Sequence, residues 1–292
     1  MSTADINSLI SVTSRDYLPG TAVMLHSFIR TNPWFDGDIL LLQDDLEDTD
    51  KDRLSTAFDR VSFPDISLEL TRSIDALTAA HTHLKSRTRR FFSLEAFAPH
   101  YAGTNLFCDG DMLFCGDISG FVEHSGALVA CGDRAQIEGH GRNPDTLQEN
   151  EAGSIAGDFA SFNAGLMLIR PEARKPESWG QILSLLDPQR WNAVASTHTD
   201  QAVLNRAFGR NVSIAPPEFN FLVGHAARLR ATNNLTAKNS NVLHFNNATK
   251  PWLFHQHPAA ISGDPAIIKS YGEWFAAYPA YLTDQHFRSL QR

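Results

Sequence analysis

The sequence predicts an α/β domain, one mostly parallel central sheet flanked by helices. Three observations carry that expectation. Apolar runs of strand length alternate with segments of helical periodicity up to residue 66. Another apolar run, Asn105 to Cys108, ends abruptly at the acidic tripeptide Asp109-Gly110-Asp111. No linker, internal repeat or low-complexity tract interrupts the 292 residues, so one domain is expected over 1–292.

Ile6 to Thr13 reads as the first strand, apolar at Ile6, Leu9, Ile10 and Val12. Ser14 to Gly20 is a turn, with Pro19 suited to a first helical turn. Thr21 to Arg30 puts Val23, Met24, Ser27 and Phe28 on one helical face. Gly37 to Leu42 is a short apolar strand, Asp45 to Arg60 a charged helix and Val61 to Ile66 a third strand. That alternation is what predicts parallel pairing. Ser73 to His83 and Leu84 to His100 read as helices, and Thr104 to Cys108 as a central strand. Asp117 to Val122 is a short helix, and Ala127 to Cys131 a strand. Gln136 to Asp158, polar and glycine-bearing, is the longest irregular segment. Phe162 to Ile169 and Asn241 to Phe245 are strands; Glu172 to Leu186, Thr199 to Phe208 and Asp264 to Tyr278 are helices.

Lys and Arg number 25 against 33 Asp and Glu, an acidic balance that argues against a general nucleic-acid binder. The three cysteines, Cys108, Cys115 and Cys131, lack metal-type spacing and read as thiols in a reducing compartment. The first residues carry no basic, then apolar, leader pattern, and no stretch is long enough to span a membrane. A cytoplasmic location is therefore expected. The basic run Lys85 to Arg90 has two readings, a solvated helix face and a phosphate contact.

Two carboxylates inside an apolar run are costly to bury unless they reach a strand end or meet a cation. Gly110 between them admits backbone angles closed to other residues, so a bend would bring Asp109 and Asp111 to one point. Converging oxygen ligands suit Mg²⁺ or Mn²⁺; an acidic turn between strands is the bland alternative. Ligands in open α/β sheets gather at the carboxyl ends of strands, which favours the metal. There is no Walker-type loop, no G-x-G-x-x-G after the first strand and no G-x-S-x-G elbow. A nucleotide held here would need a cation and scattered donors.

Five segments, in order, resemble the motifs of family 8 glycosyltransferases. They are SVTSRDYLPGTAVMLHSF from Ser11, NLFCDGDMLFCGDIS from Asn105, FNAGLMLIRP from Phe162, TDQAVLN from Thr199 and HFNNATKPW from His244. The resemblance implies a GT-A type fold. Its nucleotide- and metal-binding half would cover about 6–135 and its sugar and acceptor half about 136–255, with a helical tail over 256–292. It implies transfer of a hexose, glucose or galactose, from a UDP-sugar to an acceptor hydroxyl with retention of configuration. Mn²⁺ is the implied cofactor, with Mg²⁺ as the alternative.

Carried over residue by residue, the resemblance gives Asp109, Asp111 and His244 to the metal, with Asp109 also near the ribose. Lys250 would meet the diphosphate, Tyr17 would pack on the uracil with the backbone at Thr13 meeting the base, and Ser14 and Gly110 would also bind the nucleotide. Asp133, Asn163, Ala164, Asp200 and Gln201 would hold the donor sugar, the last two as the catalytic pair. Asn247 stands where the family has a glycine facing phosphate; asparagine tolerates left-handed angles better than most residues. The family's basic residue before the D-x-D strand aligns without gaps with Ser93; Arg90, one turn earlier, or Arg89 beside it could substitute, and Arg90 is the choice.

Negative charge develops on the leaving diphosphate, where a divalent cation and Lys250 would stabilise it. No carboxylate in these motifs is an obvious nucleophile, so same-face attack is expected, the departing phosphate oxygen taking the acceptor's proton. A metal-dependent nucleotidyltransferase would need a phosphate-gripping loop that SRDYLPG lacks. A metal-dependent hydrolase would leave Tyr17 and KPW without roles. A degenerate, non-catalytic sugar-nucleotide binding module is favoured only by Asn247. The acceptor, whether carbohydrate, lipid-linked or protein, is not legible. Trp274, Phe275, Tyr278, Tyr281 and Phe287 in the tail suit helix packing, with peripheral membrane contact as the other reading.

Overall fold

A computed structural model describes residues 6–139, 160–191, 198–246, 249–256 and 264–290. Ten strands are found among them: β1 (Ile6–Val12), β2 (Asp38–Leu42), β3 (Val61–Ser62), β4 (Thr104–Cys108), β5 (Met112–Phe114), β6 (Leu128–Gly132), β7 (Phe162–Ile169), β8 (Val212–Ala215), β9 (Phe221–Leu222) and β10 (Val242–His244). Seven form one sheet in the order β3-β2-β1-β4-β7-β6-β8, with β4 at its centre. Neighbours run parallel except around β7, which is antiparallel to both β4 and β6. The expected mostly parallel sheet is thus present. β4 and β7 are buried almost throughout, as strands covered on both faces must be.

Helix α1 (Leu18–Thr31) carries Pro19 in its first turn and lays Met24, Leu25 and Phe28 against Leu106, Cys108 and Phe114. It begins before the predicted Thr21, which shortens the predicted turn to the single 3-10 turn Arg15–Tyr17. Helix α2 (Asp48–Ala57) opens with a capping box between Glu47 and Asp50. Helix α3 (Leu68–Ala80) starts five residues earlier than predicted because Ser67 caps it, its hydroxyl accepting from the Leu70 N–H. The predicted strand Val61 to Ile66 contracts to Val61–Ser62, an edge strand that stops before Pro64. The segment read as a helix over Leu84 to His100 is a 3-10 stretch, Thr82–Phe97.

A second sheet, β5-β10-β9, was not expected. The chain leaves β4 in the first sheet and enters β5 in the second across Asp109-Gly110-Asp111 alone. That tripeptide is therefore the junction of the two sheets. The last helix, Pro265–Leu290, runs through Pro279 well past the predicted end at Tyr278. Its Tyr271 and Trp274 are buried, its Phe275 is exposed, and the Phe287 side chain lies outside those described. Tyr281 stacks on Phe58, and Asp284 meets His26 at 2.7 Å, which holds this helix against α1. Among the described residues no helix is long and apolar enough to cross a membrane. The part of the predicted irregular segment beyond Gly139 lies outside the described residues up to Asp158.

Asp50, Glu95 and Asp133 are buried acids away from the sheet junction tripeptide. Glu95 is fully buried, accepts from the Ser67 hydroxyl at 2.8 Å, and has its other oxygen without a hydrogen-bond partner. Burial pushes its carboxyl above the ordinary value of about 4.5, and the Ser67 hydrogen bonds only partly offset this. A carboxyl raised in the folded state favours folding while protonated. That contribution is complete below about pH 4.5 and is lost as pH climbs through the raised value. Glu95→Gln should therefore raise Tm at pH 8 and leave it near wild type at pH 4. Thermal melts at the two pH values check this; a glutamine variant less stable at pH 8 would refute it.

Candidate active site

The junction tripeptide is fastened on both sides by backbone hydrogen bonds. The Asp109 N–H donates to the Gly165 carbonyl on β7 at 2.8 Å, and the Phe245 N–H donates to the Asp111 carbonyl at 2.9 Å. Antiparallel pairing of β10 with β5 sets His244 opposite Met112, next to Asp111. Ligand atoms of Asp109, Asp111 and His244 consequently lie within 4.8 Å of one another. His244 Nε2 is 3.5 Å from Asp109 Oδ2 and 3.3 Å from Asp111 Oδ1. Gly110, read as admitting backbone angles closed to other residues, does not take a positive φ. What glycine supplies there is room, because a Cβ would sit 2.9 Å from Thr21 Oγ1 and 3.2 Å from the Val12 carbonyl.

Lys250 Nζ donates to Asp111 Oδ2 at 2.6 Å and to the Phe245 carbonyl at 2.7 Å. Burial alone would lower the Lys250 pKa, but the Asp111 carboxylate, with smaller help from Tyr17 and Asp109, outweighs it and holds the ammonium charged. Burial likewise pushes Asp111 up, yet the Lys250 ammonium pulls its carboxyl well below the usual range. Asp109 moves the opposite way, raised by burial and by the Asp111 charge. Asp111 Oδ1 is buried and accepts no hydrogen bond. An orphaned anionic oxygen facing a second carboxylate and an imidazole nitrogen fits a divalent cation, and this mixed oxygen and nitrogen set suits Mn²⁺ or Mg²⁺.

These groups open into a cleft of about 890 Å³ at the carboxyl edge of the sheet. Thr13, Ser14, Tyr17 and Gly110 line one side of it. The Tyr17 ring packs edge-on against Trp252, centroids 5.3 Å apart, and Trp252 Nε1 donates to the Asp16 carbonyl at 2.9 Å. Burial, and then the Asp111 charge, raise the Tyr17 hydroxyl, which stays neutral. The basic run Lys85 to Arg90 also lines the cleft. Arg89 is engaged by Asp44 and Asp45, 3.0 Å to the latter, while Arg90 is exposed on the wall.

Asn163 and Ala164 line the cleft from the start of β7, and Asp200 and Gln201 line it from the first turn of the helix Asp200–Phe208. Asn205 one turn later clamps that helix to β7: its amide donates to the Phe162 carbonyl and accepts from the Phe162 N–H, each at 2.8 Å. Asn163 Nδ2 donates to Gln201 Oε1 at 3.0 Å. Asp200 accepts from Thr199 Oγ1 and from Ser93 Oγ, both at 2.8 Å. Ser93, at the position where the family resemblance expects a cation, therefore meets Asp200 with a neutral donor. Asp133 does not line the cleft. Its Oδ1 caps the short helix Arg134–Ile137 through the Ala135 and Gln136 N–H groups, and its Oδ2 accepts from Ser161. Asn247 lies outside the described residues.

Sequence reasoning missed Asn220, which is almost fully buried and hydrogen-bonds both His244 and Asn163. The available signal was a lone amide between PPEF and an apolar pair, since a polar side chain there must find partners once buried.

A D-x-D centre at the carboxyl edge of a mostly parallel sheet, with a small second sheet bringing in a histidine, defines a GT-A glycosyltransferase fold. The chain belongs to glycosyl transferase family 8, whose model matches residues 8–256. Among solved structures it is similar to the galactosyltransferase LgtC in complex with donor and acceptor sugar analogs, with a TM-score of 0.66 and 16% identity over 94% of this chain and 95% of that one. An active-site mutant of LgtC matches with a TM-score of 0.66 and 15% identity, over 90% of this chain and 99% of that one. The glycosyltransferase GlyE from Streptococcus pneumoniae TIGR4 matches with a TM-score of 0.62 and 16% identity, over 97% of this chain and 64% of that one. No curated protein matches the chain.

Proposed function

We propose that this family 8 glycosyltransferase moves a hexose, glucose or galactose, from a UDP-sugar to an acceptor hydroxyl with retention of configuration. The acceptor is a carbohydrate, a lipid-linked molecule or a protein. The observation that carries the reading is the orphaned Asp111 Oδ1, facing Asp109 and His244 beside Lys250 in a cleft that also holds Asn163 and Gln201. Asp109, Asp111 and His244 would hold Mn²⁺, or Mg²⁺ in its place, and a bound divalent cation supplies countercharge for a diphosphate leaving group.

The other roles fall to this chain's own residues. Tyr17, backed by Trp252, offers a ring face to the base, with Thr13 and Ser14 beside it. Lys250 is a buried point charge for the diphosphate, and Arg90 adds a second cation from the wall. Asn163, Ala164, Asp200 and Gln201 orient the sugar, and the amide oxygens stabilise positive charge developing on its ring. Asp200 is assigned to the sugar and none of the residues named here is assigned the role of an inverting base, a division that supports same-face attack. The acceptor's proton then passes to the departing phosphate oxygen. Three free thiols, at Cys108, Cys115 and Cys131, support a cytoplasmic setting.

The test measures UDP release over a panel of nucleotide sugars with Mn²⁺, followed by NMR of the first product before mutarotation. UDP-glucose or UDP-galactose should lead the panel, and an α-linked donor should give an α-linked product. A β-linked product would overturn the retaining mechanism, and no UDP release from any donor would overturn the activity. Gln201→Ala should lower kcat by about 10–100-fold with little change in donor KM, because its contact strengthens in the transition state.

A further inference from the structure

The hydrogen bonds behind the cleft form one continuous relay whose polarity is determined at one end. The Gly165 backbone N–H donates to Asn163 Oδ1 at 3.0 Å. A backbone N–H can only donate, so that atom of Asn163 is its oxygen, and the other end of the amide is the NH₂ that donates to Gln201. Asn220 also faces Asn163 Oδ1, at 2.9 Å, and must present its own NH₂ there. Its oxygen therefore faces His244 Nδ1 at 3.0 Å, and that nitrogen must carry a proton. In the neutral imidazole Nε2 is then left with its lone pair, directed at Asp109 and Asp111.

We infer that Asn220 is a positioning residue joining the metal centre to the donor-sugar residues: one amide sets the His244 tautomer at one end and the orientation of Asn163, and through it Gln201, at the other. The inference rests on the proposed metal-dependent function. Its parts are enclosed, Asn220 and His244 being 1% and 3% exposed. Gly165 lets them close up, since a Cβ there would lie 2.4 Å from His244 Cε1 and 2.9 Å from Asn163 Oδ1. Asn220 itself does not line the cleft, so it acts through its neighbours rather than on the substrate.

Two readouts test this without turnover. Long-range ¹H–¹⁵N NMR of the metal-free protein, with the His244 signals identified by their loss in His244→Gln, should find a proton on Nδ1. The opposite tautomer would overturn the proposal. Mn²⁺ titration followed by the EPR signal of the free ion should show Asn220→Ala binding about 10–100-fold more weakly, the usual cost of removing a ligand's supporting partner. Asn220→Asp still offers His244 an oxygen but sets a second oxygen against Asn163 Oδ1. It should keep Mn²⁺ affinity, or bind tighter, while kcat drops as in Gln201→Ala with donor KM little changed. Wild-type Mn²⁺ affinity in Asn220→Ala, alongside lost affinity in Asp111→Asn, would overturn the relay and leave the function standing. Wild-type affinity in Asp111→Asn would overturn both.

Discussion

Asp111→Asn should cut turnover by at least about 100-fold while leaving the fold intact, the scale seen when one aimed electrostatic group is lost from an active site. Asp111 is the most loaded residue of the centre. One oxygen takes the Lys250 ammonium at 2.6 Å, and the other is the buried atom without a hydrogen-bond partner. An amide in its place keeps the shape but removes the charge that opposes Lys250. It also swaps one oxygen for an NH₂, a donor with nothing to offer a cation. Because Asp109 is already raised by burial and by Asp111, removing the Asp111 charge leaves Asp109 more readily ionised, but one carboxylate with His244 is a poorer cage than two. Steady-state assays over an Mn²⁺ series, with circular dichroism to verify folding, make the comparison. Full turnover by the variant in the presence of a chelator would show that no metal acts through this residue.

The site was legible where residue chemistry conflicts with its surroundings. Carboxylates at the end of NLFC cannot sit in a core, so their strand had to end at a surface or a cation, and β4 does end there. His244 and Lys250 were legible only through the HFNNATKPW match, because a lone histidine after an apolar run has no local signature. The role of Gly110 was misjudged because glycine serves two needs, unusual angles and close approach. Only the fold shows Thr21 and Val12 crowding it. The second sheet was not legible for a plainer reason. Of its strands only β10 was read, within Asn241 to Phe245; β5 and β9 are three and two residues long, too short to display any period. The helix predicted over Leu84 to His100 failed on a shared spacing: Phe91, Leu94 and Phe97 recur every three residues, which suits one face of an α-helix over a turn and matches the 3.0 residues per turn of the 3-10 form throughout. The direction of β7 was hidden too, because FNAGLMLI reads the same to a sheet from either end. Asn220 became visible only when its two partners did.

Lys250→Ala should separate what the lysine does for the fold from what it does for the reaction. Its side chain and that of Asp111 are 11% and 8% exposed, so their contact is a buried ion pair. Removing one partner of such a pair leaves an uncompensated charge and costs about 3–5 kcal/mol. At roughly 2 °C per kcal/mol in a chain of this size, Tm in chelator should fall by about 6–10 °C. The stranded Asp111 carboxylate still faces Asp109 and His244, and a divalent cation held by the three would supply the missing positive charge. Added Mn²⁺ should accordingly recover most of the lost Tm, a larger stabilisation than wild type gains. Turnover should not follow. Lys250 is proposed to meet charge on the diphosphate, where it is a second cation acting at a different atom, and its loss should cost about 10²–10³ in kcat even at saturating Mn²⁺. Differential scanning calorimetry with and without Mn²⁺, set beside UDP-release kinetics, reads both quantities. An unchanged Tm in chelator would mean the pair is too solvated to matter to the fold. Turnover restored along with Tm would mean that Lys250 only holds Asp111 in place and never acts on the leaving group.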